Sequence, residues 1–505
     1  MQRITSSHSY PLYNVAATRD MEQRAATNLP PHTLMQRAGL AAARLTLALA
    51  PHARHIWIAC GPGNNGGDGF EAALHLHQWG KQVSVSWSDP SAGRSALPPD
   101  AQASHDRAIA AGVNIGAEAP EDFDFCIDAL LGIGSSAREP EGVIAQWLQR
   151  MQASDKPRLC IDVPSGLNAD TGSTPGTQAG AQIFTLSLLT LKPGLFTAQG
   201  RDCAGEVWFD DLGTSSASPS DTAATAWLQG QDSIAPSPRQ LALHASHKGS
   251  FGDVAVIGGE SSTDSHMAGA ALLAAGAALH AGAGRVYVAL LAADGQQAMT
   301  VDATQPELMF RSPDALDLKN LSVVCGCGGG DAVRAVLPRV LSTAPCLVLD
   351  ADALNAIAAD SGLQTLLKAR QARGWQTVLT PHPLEGARLA GKSTADVQAD
   401  RLAGAAQLAE TFGAVIVLKG SGTVIAGPGQ TSRINSSGNA LLATAGTGDV
   451  LAGMVGAQLA SGINAFEAAC NAVFRHGRIA EQWLLAHPGK GLVASEVMRR
   501  AVWDG

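Results

Sequence analysis

Apolar positions in this chain fall into short continuous runs, each followed by a polar or glycine-rich turn and then by an alanine-rich stretch of helical period. In the first half the runs are R-H-I-W-I-A-C-G-P-G (Arg54 to Gly63), Val83 to Trp87, F-D-F-C-I-D-A (Phe123 to Ala129) and R-L-C-I-D-V (Arg158 to Val163). Helical spacing occupies Gly67 to Trp79, Asp100 to Ala111 and Ile144 to Met151, and two further helices, Asn14 to Asn28 and Thr33 to Ala50, are separated by Pro30 and Pro31. Apolar runs that alternate with helices predict right-handed crossovers and a parallel sheet covered on both faces. Ligands of such a sheet sit beyond the carboxyl ends of its strands.

The pattern recurs in the second half. H-K-G-S-F-G-D-V-A-V-I-G-G (His247 to Gly259), Arg285 to Leu291, L-S-V-V-C-G-C-G-G-G (Leu321 to Gly330), C-L-V-L-D-A-D-A-L-N (Cys346 to Asn355), T-V-L-T-P-H-P-L-E (Thr377 to Glu385) and A-V-I-V-L-K-G-S-G-T (Ala414 to Thr423) each hold a strand. A helix of alanine and leucine starts at Met267. Asp211 to Arg239 is rich in Ser, Thr and Pro and reads as a linker. The expected fold class is α/β with two doubly wound domains: residues 1–213, a linker running into the second domain over 214–239, and residues 240–505.

Length agrees, since 505 residues exceed one ordinary core. A net charge of -9 without long charge runs argues against a nucleic-acid surface or a polybasic membrane anchor. The eight cysteines lie mostly in or beside apolar runs and read as reduced core residues. No apolar stretch of signal-peptide length opens the chain, and the apolar helices Ala268 to Ala281 and Val450 to Ile463 are short and broken by glycine. A cytoplasmic homo-oligomer is expected, with neither nucleic acid nor membrane as partner.

Candidate chemistry concentrates where strands end. A-T-A-G-T-G-D-V-L-A-G (Ala443 to Gly453) places Asp449 in the first turn of an apolar helix, where the N–H groups of Thr447, Gly448 and Asp449 face an anion, or where the acid is a simple cap. Gly61 to Gly69, Asp128 to Arg138 and Ile161 to Leu167 are three polar loops at strand ends of the first half. They bring Asn65, Asp128, Asp162 and Ser165 to one sheet edge, an oxygen-rich set suited to K+ or Mg2+ rather than zinc. Arg138 and the glycine N–H groups are placed to answer a pyrophosphate. Asp350 and Asp352 read equally as a metal site or as helix caps, His382 as a ligand contact or a turn residue, and Lys248 and Lys419 as phosphate contacts or surface cations.

The three loops of the first half resemble the NAD(P)HX epimerase domain of the NAD(P)H-hydrate repair enzymes. That resemblance implies a Rossmann-like fold in which Asn64, Asn65, Gly66, Gly67, Asp68, Gly132, Ile133, Gly134, Ser135, Ser136, Ala137, Arg138 and Asp162 contact the hydrated dinucleotide. It further implies K+ bound by Asn65, Asp128 and Ser165, with Asp162 as the acid-base residue. The order of pieces in the second half resembles the ribokinase-like fold, and H-K-G-S-F-G, T-P-H-P-L-E, L-K-G-S-G-T and A-G-T-G-D-V-L-A-G together resemble the ADP-dependent NAD(P)HX dehydratase. This implies an adenine nucleotide on Lys419, Gly420, Ser421, Gly422, Thr423 and Gly448, with ADP and Mg2+. It also implies NADHX or NADPHX against Ala270, Gly328, His382 and Asp449, with Asp449 catalytic. The chain departs from that family at Cys327, where a proline is common. Two other functions compete: a small-molecule kinase sharing the anion-hole motif, and a first domain that binds without catalysing.

Overall fold

The computed structural model describes residues 1–88, 97–135, 139–175, 182–214, 223–235, 243–261, 266–292 and 300–502. Contacts divide the chain into two compact units, Met1–Thr5 with Tyr10–Trp227 and Ser6–Ser9 with Leu228–Gly505. Ala226–Gln229, inside the stretch whose composition reads as linker, forms a strand.

The first unit holds an eight-stranded sheet. Its order runs Gln2–Arg3, Glu206–Asp210, Ile183–Leu188, Arg158–Ile161, Phe125–Ala129, His55–Cys60, Gln82–Trp87 and Asn114–Gly116. Every pairing is parallel except that of Gln2–Arg3. Side chains of His55–Cys60 show why both faces are covered. Ile56, Ile58 and Cys60 join one apolar cluster with Phe70 and Leu76 of the helix Asn64–Gln78. Trp57 joins the opposite cluster with Trp147 and Met151 of the helix Gly142–Ala153. Strand order reverses between His55–Cys60 and Phe125–Ala129, which opens a crevice at their carboxyl ends.

The second unit repeats the plan. Met309–Phe310, Arg285–Ala292, Asp253–Ser261, Ser322–Cys325, Cys346–Leu349, Gln376–Leu379 and Val415–Leu418 are parallel neighbours in that order. Val424–Ala426 and Arg433–Asn435 then continue the sheet antiparallel. The alternation is the same: Val254 and Val256 face one core cluster, Ala255 and Ile257 the other. The helix Thr447–Ala460 is buried almost all round, and its glycines explain how. A Cβ at Gly453 would overlap the carbonyl oxygen of Ala274, so this helix lies directly on the backbone of Ala268–His280. No helix among the described residues is long and apolar enough to cross a membrane.

Two candidate functional sites

In the first unit the polar loops converge as their strand-end positions imply. The glycine stretch is not a loop throughout: Gly63 caps the helix Asn64–Gln78, which begins three residues before the apolar spacing suggests. Glycine is required there because a Cβ on Gly61 would overlap Leu130 O and one on Gly66 would overlap Gly61 O. Backbone contact, not helix propensity, selects these glycines. A cavity of about 590 Å³ opens beside this turn, lined by Asn64, Asn65, Asp68, Gly132, Ile133, Gly134 and Asp162. Gly66 and Gly67 support its wall, Gly67 against Met35, while Ser136, Ala137 and Arg138 lie outside the described residues.

Asp128 and Ser165, both fully buried, are bound to each other. Ser165 Oγ donates to Asp128 Oδ1 at 2.6 Å and Ser165 N to Oδ2 at 3.0 Å. Leu130 N also reaches Oδ1, at 3.2 Å, and Leu131 N donates to Ser165 Oγ at 2.9 Å. Asn65 faces Gly132, and both polar atoms of its buried carboxamide lack a partner among the described residues. A buried amide in that state calls for a ligand.

Asp162 follows the strand Arg158–Ile161 with φ 68°, a left-handed conformation uncommon outside glycine and asparagine. Its Oδ2 accepts from Ile133 N at 3.4 Å, and its Oδ1 pairs with the Lys192 ammonium. Lys192 is fully buried and also donates to Leu188 O at 2.7 Å. Sequence reasoning missed this lysine, although T-L-K-P-G directly after a strand is a cation placed at the sheet edge. It also missed Arg19, Glu22, His32 and Asp100, which line the same cavity. Burial, then the charge of Asp162, raises the Glu22 carboxyl, and the same causes hold Asp68 well above the usual carboxylate range.

In the second unit Gly446 takes φ 89° and starts the helix Thr447–Ala460, with Asp449 in its first turn. Thr447 N donates to Thr444 O at 3.4 Å, and the Asp449 amide is engaged by its own carboxylate, so the three amides are not all open at the helix start. Lys419 brings its ammonium to this helix start, 3.2 Å from where a Cβ of Gly448 would stand. Arg401 props the lysine loop from beneath: its Nη2 donates to Leu418 O at 3.0 Å and Lys419 O at 3.1 Å. Gly420 and Gly422 need their glycines, with φ 135° and 57°. Thr423 Oγ1 donates to Gly420 O at 3.0 Å, closing the turn that carries Ser421.

The two acids have different partners. Asp350 is buried, and its Oδ1 accepts from Thr380 Oγ1 at 2.7 Å and Lys419 Nζ at 2.9 Å. Asp352 instead braces the glycine run, accepting from Gly330 N at 2.9 Å. Burial, then the charge of Asp350, pushes Asp449 up to about 7. Burial acts against the Lys419 ammonium, but Asp350 and Glu385 outweigh it and its pKa ends raised. Gly328, with φ 58°, sits so close to Ala270 that a Cβ would stand 2.9 Å from that methyl, so this pair is adjacent as expected. His382 caps the helix Pro383–Ala390 through Nδ1, which accepts from Leu384 N at 3.1 Å and Glu385 N at 3.3 Å. That makes it a turn residue, and its Nε2 stands 3.2 Å from Glu385 Oε1, so what its half-exposed ring offers a ligand is chiefly its face. Lys248 is exposed on its surface turn. All eight cysteines are free, and all but the half-buried Cys346 are buried.

Both halves of the chain match known families. Residues 254–500 match the family described as NAD(P)H-hydrate dehydratase, and residues 31–194 match that described as YjeF-related protein N-terminus. The chain is similar to the bifunctional NAD(P)H-hydrate repair enzyme Nnr of Escherichia coli, at 34% identity over 92% of this chain and 88% of that one. It is similar to a bifunctional NAD(P)H-hydrate repair enzyme of Leishmania braziliensis, at 35% identity over 95% of this chain and 90% of that one. Its second half is 42% identical to the ADP-dependent (S)-NAD(P)H-hydrate dehydratase of Neisseria meningitidis, over 51% of this chain and 86% of the relative. The two architectures are those of the resemblances, a Rossmann-like unit followed by a ribokinase-like one. The chain belongs to the family of bifunctional NAD(P)H-hydrate repair enzymes.

Proposed function

We propose that this chain repairs hydrated NADH and NADPH in two steps: the first unit interconverts the R and S hydrates, and the second dehydrates the S hydrate with ADP. The observation that carries the reading is Asp449, a carboxyl raised to about 7 at a helix start with Lys419 against that same start. A hydroxyl on the reduced nicotinamide ring leaves poorly as hydroxide. Asp449 takes its proton while the oxygen accepts the terminal phosphoryl of ADP, releasing AMP. Lys419 and the Gly448 amide stabilise the charge that develops on the phosphoryl oxygens. Mg2+ bound with the nucleotide would supply further neutralisation of that charge. The ring nitrogen then expels phosphate, and loss of a proton from the neighbouring carbon restores the double bond, giving NAD(P)H.

Ala270, Gly328 and His382 line the hydrate, and Lys419, Gly420, Ser421, Gly422, Thr423 and Gly448 take the nucleotide. In the first unit Asp162 is the acid-base group that inverts the hydroxyl-bearing carbon, with Lys192 holding its carboxylate in place. Asn64, Asn65, Asp68 and the Gly132 to Gly134 loop surround the substrate. K+ would be held by Asn65, Asp128 and Ser165, a reading supported by the Asn65 carboxamide having no partner among the described residues, and it would fix the loops that shape the cavity. The test is incubation of the chain with mixed R and S NADHX and ADP, following the return of dihydronicotinamide absorbance together with AMP and phosphate. Accumulation of a phosphorylated substrate in place of NADH would mark a kinase and overturn the reading.

A further inference from the structure

The proposed reaction makes no use of Cys327, although its thiol stands at the centre of the second site. The side chain is fully buried, its Sγ is 3.9 Å from Asp350 Oδ2, and it donates a hydrogen bond to Asp449. One ligand atom from each of Cys327, Asp350 and Asp449 lies within 4.8 Å of the other two. A tetrahedral zinc ion with one sulfur and two oxygen ligands holds such atoms roughly 3.5 Å apart. Closing the cluster onto a metal therefore takes about an ångström of side-chain movement.

The backbone already places two of the three. Cys325 and Leu349 are register partners in neighbouring strands, and Asp350 N donates to Cys325 O at 3.1 Å. A Cβ on Gly326 would overlap Asp350 O, so the glycine run and the acid are held in direct contact. Asp449, the third ligand and the most exposed of the three, leaves an open side for entry and for a fourth ligand.

Charge also balances. A thiolate and two carboxylates carry three negative charges, which a divalent cation and the Lys419 ammonium neutralise. Metal entry displaces the thiol proton and frees Asp449 of any proton it holds. A sulfur ligand favours zinc or cadmium, whereas Mg2+ takes oxygen ligands and does not compete for the thiolate.

We propose that Cys327, Asp350 and Asp449 form an inhibitory site for a thiophilic divalent cation, which stops dehydration by occupying the carboxylate that acts as base. The inhibition rests on the role of Asp449 proposed above; the metal site does not. The full chain, treated with chelator and returned to Mg2+ buffer, is titrated with Cd2+. Two signals are followed: the ultraviolet thiolate-to-cadmium charge-transfer band, and the dehydration rate with S-NADHX and ADP. One Cd2+ per chain should produce the band and the loss of rate together. In Cys327→Ser, which keeps a polar side chain of similar size, and in Cys327→Ala, the band should disappear. The inhibitory concentration should also rise at least tenfold, each variant being compared with its own metal-free rate. A full band or unchanged inhibition in both variants overturns the site. A Cys327-dependent band with no loss of rate supports the site and overturns instead the role of Asp449.

Discussion

Asp449 sits in conflict between stability and use. A carboxyl that titrates near 3.8 when unfolded and near 7 in the folded chain binds more protons folded than unfolded across that interval. Its contribution to stability is complete below the unfolded value and is lost as pH rises through about 7. Glu385, also raised to about 7, acts in the same direction. As the proposed base, Asp449 must be unprotonated to work, so kcat/KM for dehydration should climb about tenfold per pH unit below pH 7 and level above it. Asp449→Asn should lower kcat by about a hundred- to ten-thousand-fold. The same change should raise stability by roughly 1–3 kcal/mol at pH 8, and by much less at pH 5. Urea midpoints at the two pH values check this, and an equal gain at both contradicts the assigned cause. Lys192 is the opposite case, a buried cation whose loss strands the Asp162 carboxylate. Lys192→Met should cost about 3 kcal/mol and abolish epimerisation. Adding Asp162→Asn should recover part of the stability but none of the activity; a double variant no more stable than the single one would show that the pair is not coupled.

Elements and site residues were legible to different degrees. Strands and their terminal acids were readable because a doubly covered sheet demands continuous apolar runs, and Asp162 and Asp449 follow directly from where those runs or their glycine turns end. The helix start at Asn64 was not, because glycine disfavours helix and the reason for Gly61 and Gly66 is a contact with a distant or adjacent backbone. Lys192 was hidden for a similar reason. It reaches Asp162 only because the strand Ile183–Leu188 returns to lie beside Arg158–Ile161, a pairing that no local pattern announces. Cys327 reads as an apolar filler in the chain and becomes a polar neighbour only when the Cys346–Leu349 strand sets Asp350 beside it. The turn explanation is testable within a few residues. Gly66→Ala should destabilise the chain by about 1–3 kcal/mol through overlap with Gly61 O, whereas Gly63→Ala, whose Cβ meets nothing within 4 Å, should cost less than about 1 kcal/mol. Equal denaturation midpoints for the two variants would refute a steric cause.

Across the whole molecule the same solution has been used twice with one difference that separates the chemistries. Each unit has a mainly parallel sheet, an acid at its carboxyl edge and a lysine paired with an acid. In the first unit Lys192 pairs with Asp162 itself, while in the second Lys419 pairs with the neighbouring Asp350 and leaves Asp449 raised. On the proposed assignment one unit inverts a carbon centre, and the other takes a proton from the hydroxyl of one hydrate only. If the S hydrate passes between these activities through solution, the two lesions should complement in a mixture of chains. With mixed R and S NADHX and ADP, Asp162→Asn should restore absorbance quickly to the S fraction and then only at the rate of spontaneous inversion. Asp449→Asn should restore essentially none. The two variants together should reach the endpoint of the unaltered chain, the second phase being limited by the epimerase-competent protein and proportional to its concentration. A mixture that stops at the S fraction overturns the assignment of inversion to Asp162 and dehydration to Asp449 as separable steps.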